Sequence, residues 1–236
     1  MKNINEIIII GGGSSISKGI YLGLKEKIKN KFVIVCNYAY KHFSHTFMCF
    51  TDRDFYHPRH DKNNPDIYEE LKTLPLIIGI DHNGVEEFKL PNTILLDKKY
   101  KTALTGVFAL NLAKKLMDEG VIYLLGFDWN KRLGLPERDP NYNPNSDLQI
   151  HYYNDIEHRG IGYVGYYENH NPDKEFKSTI KKDIKIYNVS PESNINCFEK
   201  ITYEKMLNLL NKETVNQNEL RQEIKFIYCS NNRRLS

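Results

Sequence analysis

The chain has 236 residues, about 1.5 times the usual domain length, which accommodates one large α/β domain with insertions more readily than two domains. Hydrophobic residues make up 40% and charged residues 27%, and 33 basic against 30 acidic residues leave a formal charge of +3; so small an imbalance excludes the domain-wide field that announces nucleic-acid or membrane-surface binding. No stretch approaches the ~18 apolar residues that span a bilayer, and the first apolar run is too short for a secretory signal, so a cytoplasmic protein is expected.

Residues 7–10 are four consecutive isoleucines stopped by Gly11, the pattern of a strand buried on both faces of a parallel sheet. Ser14 or Ser15 can cap the helix that follows, in which Ile16, Ile20, Leu24 and Ile28 recur at helical spacing. A second buried strand over 32–36 completes a β-α-β unit. Residues 46–50, 75–80 and 93–96 read as three more strands between loops rich in His, Asn, Asp and Pro. Leu104, Val107, Phe108, Leu112 and Leu116 predict a helix over 102–119 that ends with Gly120 in the left-handed position past its last turn. It feeds a strand over 121–127.

From 128 to about 171 no period persists, and a loop of that length is usually functional or disordered; its aromatic content argues for function. Beyond it we expect a helix over 172–182, a strand over 184–189, a Ser-Pro turn and a helix over 203–211. The expected architecture is therefore α/β, a Rossmann-like doubly wound and mostly parallel sheet in a single domain of residues 1–211, with 212–236 as a peripheral helical tail. Cys36, Cys49, Cys197 and Cys229 lie far apart and form no C-x-x-C pair, which reads as buried free thiols in a reducing compartment.

In doubly wound sheets ligands sit beyond the carboxyl ends of the strands. After the first strand, Gly11-Gly12-Gly13-Ser14-Ser15 places small residues and a helix N-terminus where a phosphate can approach the backbone. The spacing is neither G-x-G-x-x-G nor a P-loop. After the second strand, Asn37 can bond a ribose or a base. Asp52, Asp54 and Asp128, each following a strand, can hold Mg²⁺ or a ribose hydroxyl, or serve as loop and helix caps. The long loop adds His158, a candidate general base, and Arg159, a candidate phosphate clamp. The spacing of His151 and His158 fits no zinc site.

Taken in order, these motifs resemble a superfamily that joins the bacterial lipooligosaccharide sialyltransferases with proteins similar to the archaeal 6-hydroxymethylpterin diphosphokinase, and are most similar to its phage-type members. The resemblance rests on Gly11 to Ser15, Cys36-Asn37, Asp52, Leu104-Thr105-Gly106, Leu124-Leu125-Gly126-Phe127-Asp128, a late histidine and Asn188-Val189-Ser190-Pro191-Glu192-Ser193. It implies a transferase that uses a nucleotide-activated donor as co-substrate. The glycine turn with Ser14 and Ser15, Asn37, Asp52, Thr105, Gly106 and Gly126 would bind the nucleotide. Asp128, His158 and Arg159 would form the catalytic set, with His158 deprotonating an acceptor hydroxyl in an inverting glycosyl transfer. The diphosphokinase branch implies instead a Mg²⁺ site at Asp52 and Asp54. A nucleotide-binding module without catalysis is the third alternative, and a homo-oligomer is compatible with all three.

Overall fold

The computed structural model of the protein describes residues 4–51, 66–81, 90–129 and 171–232. Its strands are β1 (Glu6–Ile10), β2 (Val33–Cys36), β3 (Phe47–Cys49), β4 (Ile77–Ile80), β5 (Thr93–Leu96), β6 (Gly120–Leu125), β7 (Ile184–Asn188) and β8 (Glu199–Lys200). They form one sheet in the order β5-β4-β3-β2-β1-β6-β7-β8, and every pairing is parallel. The helices are α1 (Ile16–Tyr21), α2 (Leu24–Ile28), α3 (Asp66–Lys72), α4 (Thr105–Leu116), α5 (Pro172–Lys177), α6 (Tyr203–Leu209) and α7 (Gln217–Asn232).

The isoleucines of β1 show why a continuous apolar run is needed. Ile7 and Ile9 enter one core with Val107, Phe108 and Leu112 of α4, Phe176 of α5 and Leu220 and Ile224 of α7. Ile8 and Ile10 enter the other, with Ile16, Leu24, Leu71, Tyr203 and Met206 from α1, α2, α3 and α6. All four are fully buried, each contributing about 1.5–3 kcal/mol. Helices on both faces of a parallel sheet make the fold α/β and Rossmann-like. Among the described residues no helix is long and apolar enough to cross a membrane.

Several expected boundaries shift for local reasons. The first helix breaks at Gly23, whose φ of +83° starts a new helix, α2. Gly120 does not close α4: it is the first residue of β6, with φ +128°, and a Cβ there would collide with the Asn5 backbone. α5 stops at Lys177 because the Ser178 and Thr179 hydroxyls donate to the Glu175 and Phe176 carbonyls at 2.8 and 2.6 Å. The two-residue β8 and the helix α3 carried no readable period. Of the cysteines, Cys36 and Cys49 are buried but Cys197 is half-buried and Cys229 exposed.

The carboxy-terminal helix is not peripheral. Leu220, Ile224 and Tyr228 line one face of α7 in the core, and the Tyr228 hydroxyl donates to Leu112 O at 3.0 Å. Arg221 donates to the carbonyls of Thr46 (2.9 Å) and His45 (2.8 Å).

His45 itself donates through Nδ1 to Phe43 O at 2.9 Å, and its Nε2 is buried without a partner. Burial lowers its pKa below the ordinary 6.5; the Phe43 bond opposes this and the Arg221 charge adds to it. A depressed histidine pKa means that the unfolded chain takes the proton first. His45 therefore contributes stability that is present above pH 6.5 and lost as pH falls from there toward its folded pKa. Thermal unfolding against pH is expected to show this acid-side loss, and His45→Gln is expected to flatten it. Equal acid sensitivity in both proteins would contradict the assignment.

Candidate functional site

β1 and β6 lie side by side, yet the chain leaves them toward opposite layers. β1 leads through Gly11 to Ser15 into α1 on the face of Ile8 and Ile10, whereas α5, the first described helix after β6, packs on the other face. A reversal of this kind opens a crevice beyond the carboxyl ends of the two strands. The residues expected to face a ligand after β1, β2 and β6 all stand at that end of the sheet.

Two backbone bonds seal the β1 turn to the β6 turn: Gly11 N donates to Leu125 O at 2.8 Å and Gly13 N to Gly126 O at 2.9 Å. Side chains at the glycines have no room. A Cβ at Gly11 would lie 2.8 Å from Gly126 O and 3.2 Å from the Phe127 ring. One at Gly13 would overlap the Asp128 carboxylate and stand 2.7 Å from Gly126 O, and one at Gly106 would strike the Phe127 ring. Gly126 has φ +69°, and its absent Cβ faces Ile16 at 2.5 Å. Gly11 thus admits the Gly126 carbonyl, Gly106 makes space for Phe127, and Gly13 for Asp128. Gly12 and Ser14 complete the turn, with Ser14 O accepting from Ser17 N at 3.1 Å.

The start of α1 is also occupied. Ser15 N donates to Asp128 Oδ2 at 2.8 Å, and Ser15 Oγ donates to Oδ1 at 2.5 Å. The Ser15 hydroxyl, expected as a cap for its own helix, makes no bond to it. The buried Asp128 carboxylate takes that position, where negative charge is favoured. Beneath it the ring of Tyr203 fills the space above Gly19. Burial raises the pKa of its phenol far above the ordinary value, and the charge of Asp128 adds to the shift. The hydroxyl stands beside the Ser15 side chain and the Gly126 amide without a hydrogen bond of good geometry to either.

A second loop fixes Asp128 from the other side. Phe127 O accepts from Asn188 Nδ2 (3.2 Å) and Ser193 Oγ (2.7 Å), Asp128 O from Asn194 N (2.9 Å) and Trp129 O from Asn194 Nδ2 (2.8 Å). Three successive carbonyls are held, and Lys200 Nζ in turn donates to Ser193 O at 2.5 Å. Asn188 and Ser193 begin and end the N-x-S-P-x-S motif, so its role here is to position the chain after β6. Asn194 and Tyr203 carried no functional signal in the sequence, because their partners lie many residues away.

After β2, Asn37 has φ +50°, a left-handed conformation uncommon outside glycine, and its Oδ1 is buried without a hydrogen-bond partner. At the start of α4, Thr105 Oγ1 and Thr51 Oγ1 are 2.9 Å apart, joining the end of β3 to that helix. No side chain caps α4. Asp52, Asp54, His158 and Arg159 lie outside the described residues. Among the described residues no three His, Cys, Asp or Glu side chains gather as a metal site would require. A concavity of about 480 Å³ between the loop before β7 and Cys197 to Glu199 lies away from the crevice, at the amino end of β7. Comparisons with protein-family models, curated proteins and solved structures return no match.

Proposed function

We propose that the crevice between β1 and β6 binds a nucleotide-type ligand and that the protein is a nucleotide-dependent transferase, with glycosyl transfer from a nucleotide sugar as the leading reaction. The observation that carries this reading is Asn37. A non-glycine residue held left-handed, with its side-chain carbonyl oxygen shielded from water and unbonded, is costly unless a ligand completes it. It stands at the carboxyl end of β2, beside the switch point, where parallel sheets bind nucleotides.

The chemistry is assigned to His158 as base and Arg159 as phosphate partner on the strength of the resemblance; proton transfer by such a base contributes about 10²- to 10⁴-fold. The diphosphokinase alternative needs Asp52 and Asp54 to bind Mg²⁺. Thermal unfolding with CMP-, UDP- and GDP-sugars, ATP and NAD, each with and without Mg²⁺, tests the reading. A ligand at 100 times its Kd is expected to add about 2.7 kcal/mol. Stabilisation by a nucleotide sugar without metal supports glycosyl transfer, stabilisation by ATP only with Mg²⁺ supports the kinase, and no stabilisation by any of them removes nucleotide binding altogether.

A further inference from the structure

The β1 turn has the sequence of a phosphate cradle, but four of its donors, the amides of Gly11, Gly13 and Ser15 and the Ser15 hydroxyl, are committed within the protein. Both Ser15 groups that would meet a phosphate at the start of α1, the amide and the hydroxyl, donate to Asp128. Gly13 N is committed to Gly126 O, and the space beside Gly13 is filled by the same carboxylate. A phosphate placed there would compete for each donor and face a like charge. What the site retains is acceptor capacity. Each oxygen of Asp128 receives one bond from Ser15 and keeps a lone pair for another, and Asn37 Oδ1 receives none. The two acceptors follow strands on either side of β1. Both stand at the carboxyl end of the sheet, the Asp128 carboxylate reaching across to the β1 turn.

We propose that the β1 turn receives the hydroxyl-bearing nucleoside end of the ligand, a ribose hydroxyl donating to Asp128, and that the phosphates bind elsewhere in the crevice. This rests on the crevice being a nucleotide site and fixes the ligand's direction in it. Asp128 becomes the residue that selects ribose over deoxyribose.

The test is calorimetric titration of the full chain with the four ribonucleoside 5′-monophosphates and their 2′-deoxy and 3′-deoxy forms. With the natural sequence, removing one ribose hydroxyl is expected to weaken binding about 10- to 100-fold. Asp128→Asn, which keeps the shape and removes the charge, is expected to bring the ribo and deoxy forms within about threefold of each other. Ser15→Ala leaves the carboxylate charged and frees one of its lone pairs, so it is expected to keep the preference for ribose; a phosphate cradle would instead lose affinity for every monophosphate. That comparison decides the matter even if Asp128→Asn does not fold. Deoxy forms that bind the natural protein as well as ribo forms would overturn this orientation and leave nucleotide binding standing. Failure of every monophosphate to bind would overturn both.

Discussion

Lys31→Met is expected to lower the free energy of unfolding by about 3–5 kcal/mol, the usual cost of leaving one member of a buried ion pair behind. Lys31 is only 8% exposed. Its ammonium donates to Asn211 O (2.5 Å), Asn211 Oδ1 (2.7 Å) and Glu213 O (2.6 Å), and faces Glu6 at 3.7 Å. Glu6 is similarly enclosed, and its Oε2 accepts from Asn211 N at 3.0 Å. Methionine matches the lysine stem in length but supplies no donor. The substitution therefore leaves the enclosed Glu6 carboxylate without its counter-ion and the Asn211 and Glu213 carbonyls without this donor. The same contacts tie the segment leading into α7 to the loop before β2. Urea unfolding measures the effect, and a loss below about 1 kcal/mol would mean that the pair behaves as a solvated surface bridge.

Most of the sheet was legible because each long strand writes its burial into a short run of residues. The isoleucines of β1, the apolar runs at β2 and β4, and the run into Gly126 can be read without knowing their neighbours. What local pattern cannot express is partnership. α7 is polar on most of its surface, and only docking against Leu112 and Thr46 shows that Leu220, Ile224 and Tyr228 complete the core. Gly120 sits where a helix-ending glycine would, yet its conformation serves the start of β6 and the close approach of Asn5.

The glycines and the aspartate after β6 were legible in the sequence, but the reasons for their placement were not. Gly11, Gly13, Gly106, Gly126 and Asp128 do converge at the β1 and β6 ends, but they converge on one another. The Gly126 carbonyl explains Gly11, Phe127 explains Gly106 and Asp128 explains Gly13, and both Ser15 donors that make the turn look like an anion site are used by an aspartate 113 positions away. Asn37 is the opposite case. Its position after β2 suggested a ligand contact, and its positive φ and unbonded oxygen, neither visible in sequence, give that suggestion a physical cost.

That cost makes Asn37→Gly the sharper of the two large effects. Glycine adopts φ +50° without strain, so the substitution removes the buried acceptor while relieving whatever the backbone stores. Stability is expected to stay within about 1 kcal/mol of the natural protein or to rise slightly. Ligand affinity is expected to fall about 10- to 100-fold, because a donor on the nucleotide loses its partner in a site that water enters poorly. A residue kept only for turn geometry would give the first result without the second. The decisive measurement is calorimetric titration of the nucleotide that most stabilises the natural protein into the natural and Asn37→Gly chains, with melting temperatures taken on the same samples. Weakened binding at unchanged or raised melting temperature is the predicted result, and equal affinity in the two proteins would contradict a nucleotide site at this crevice.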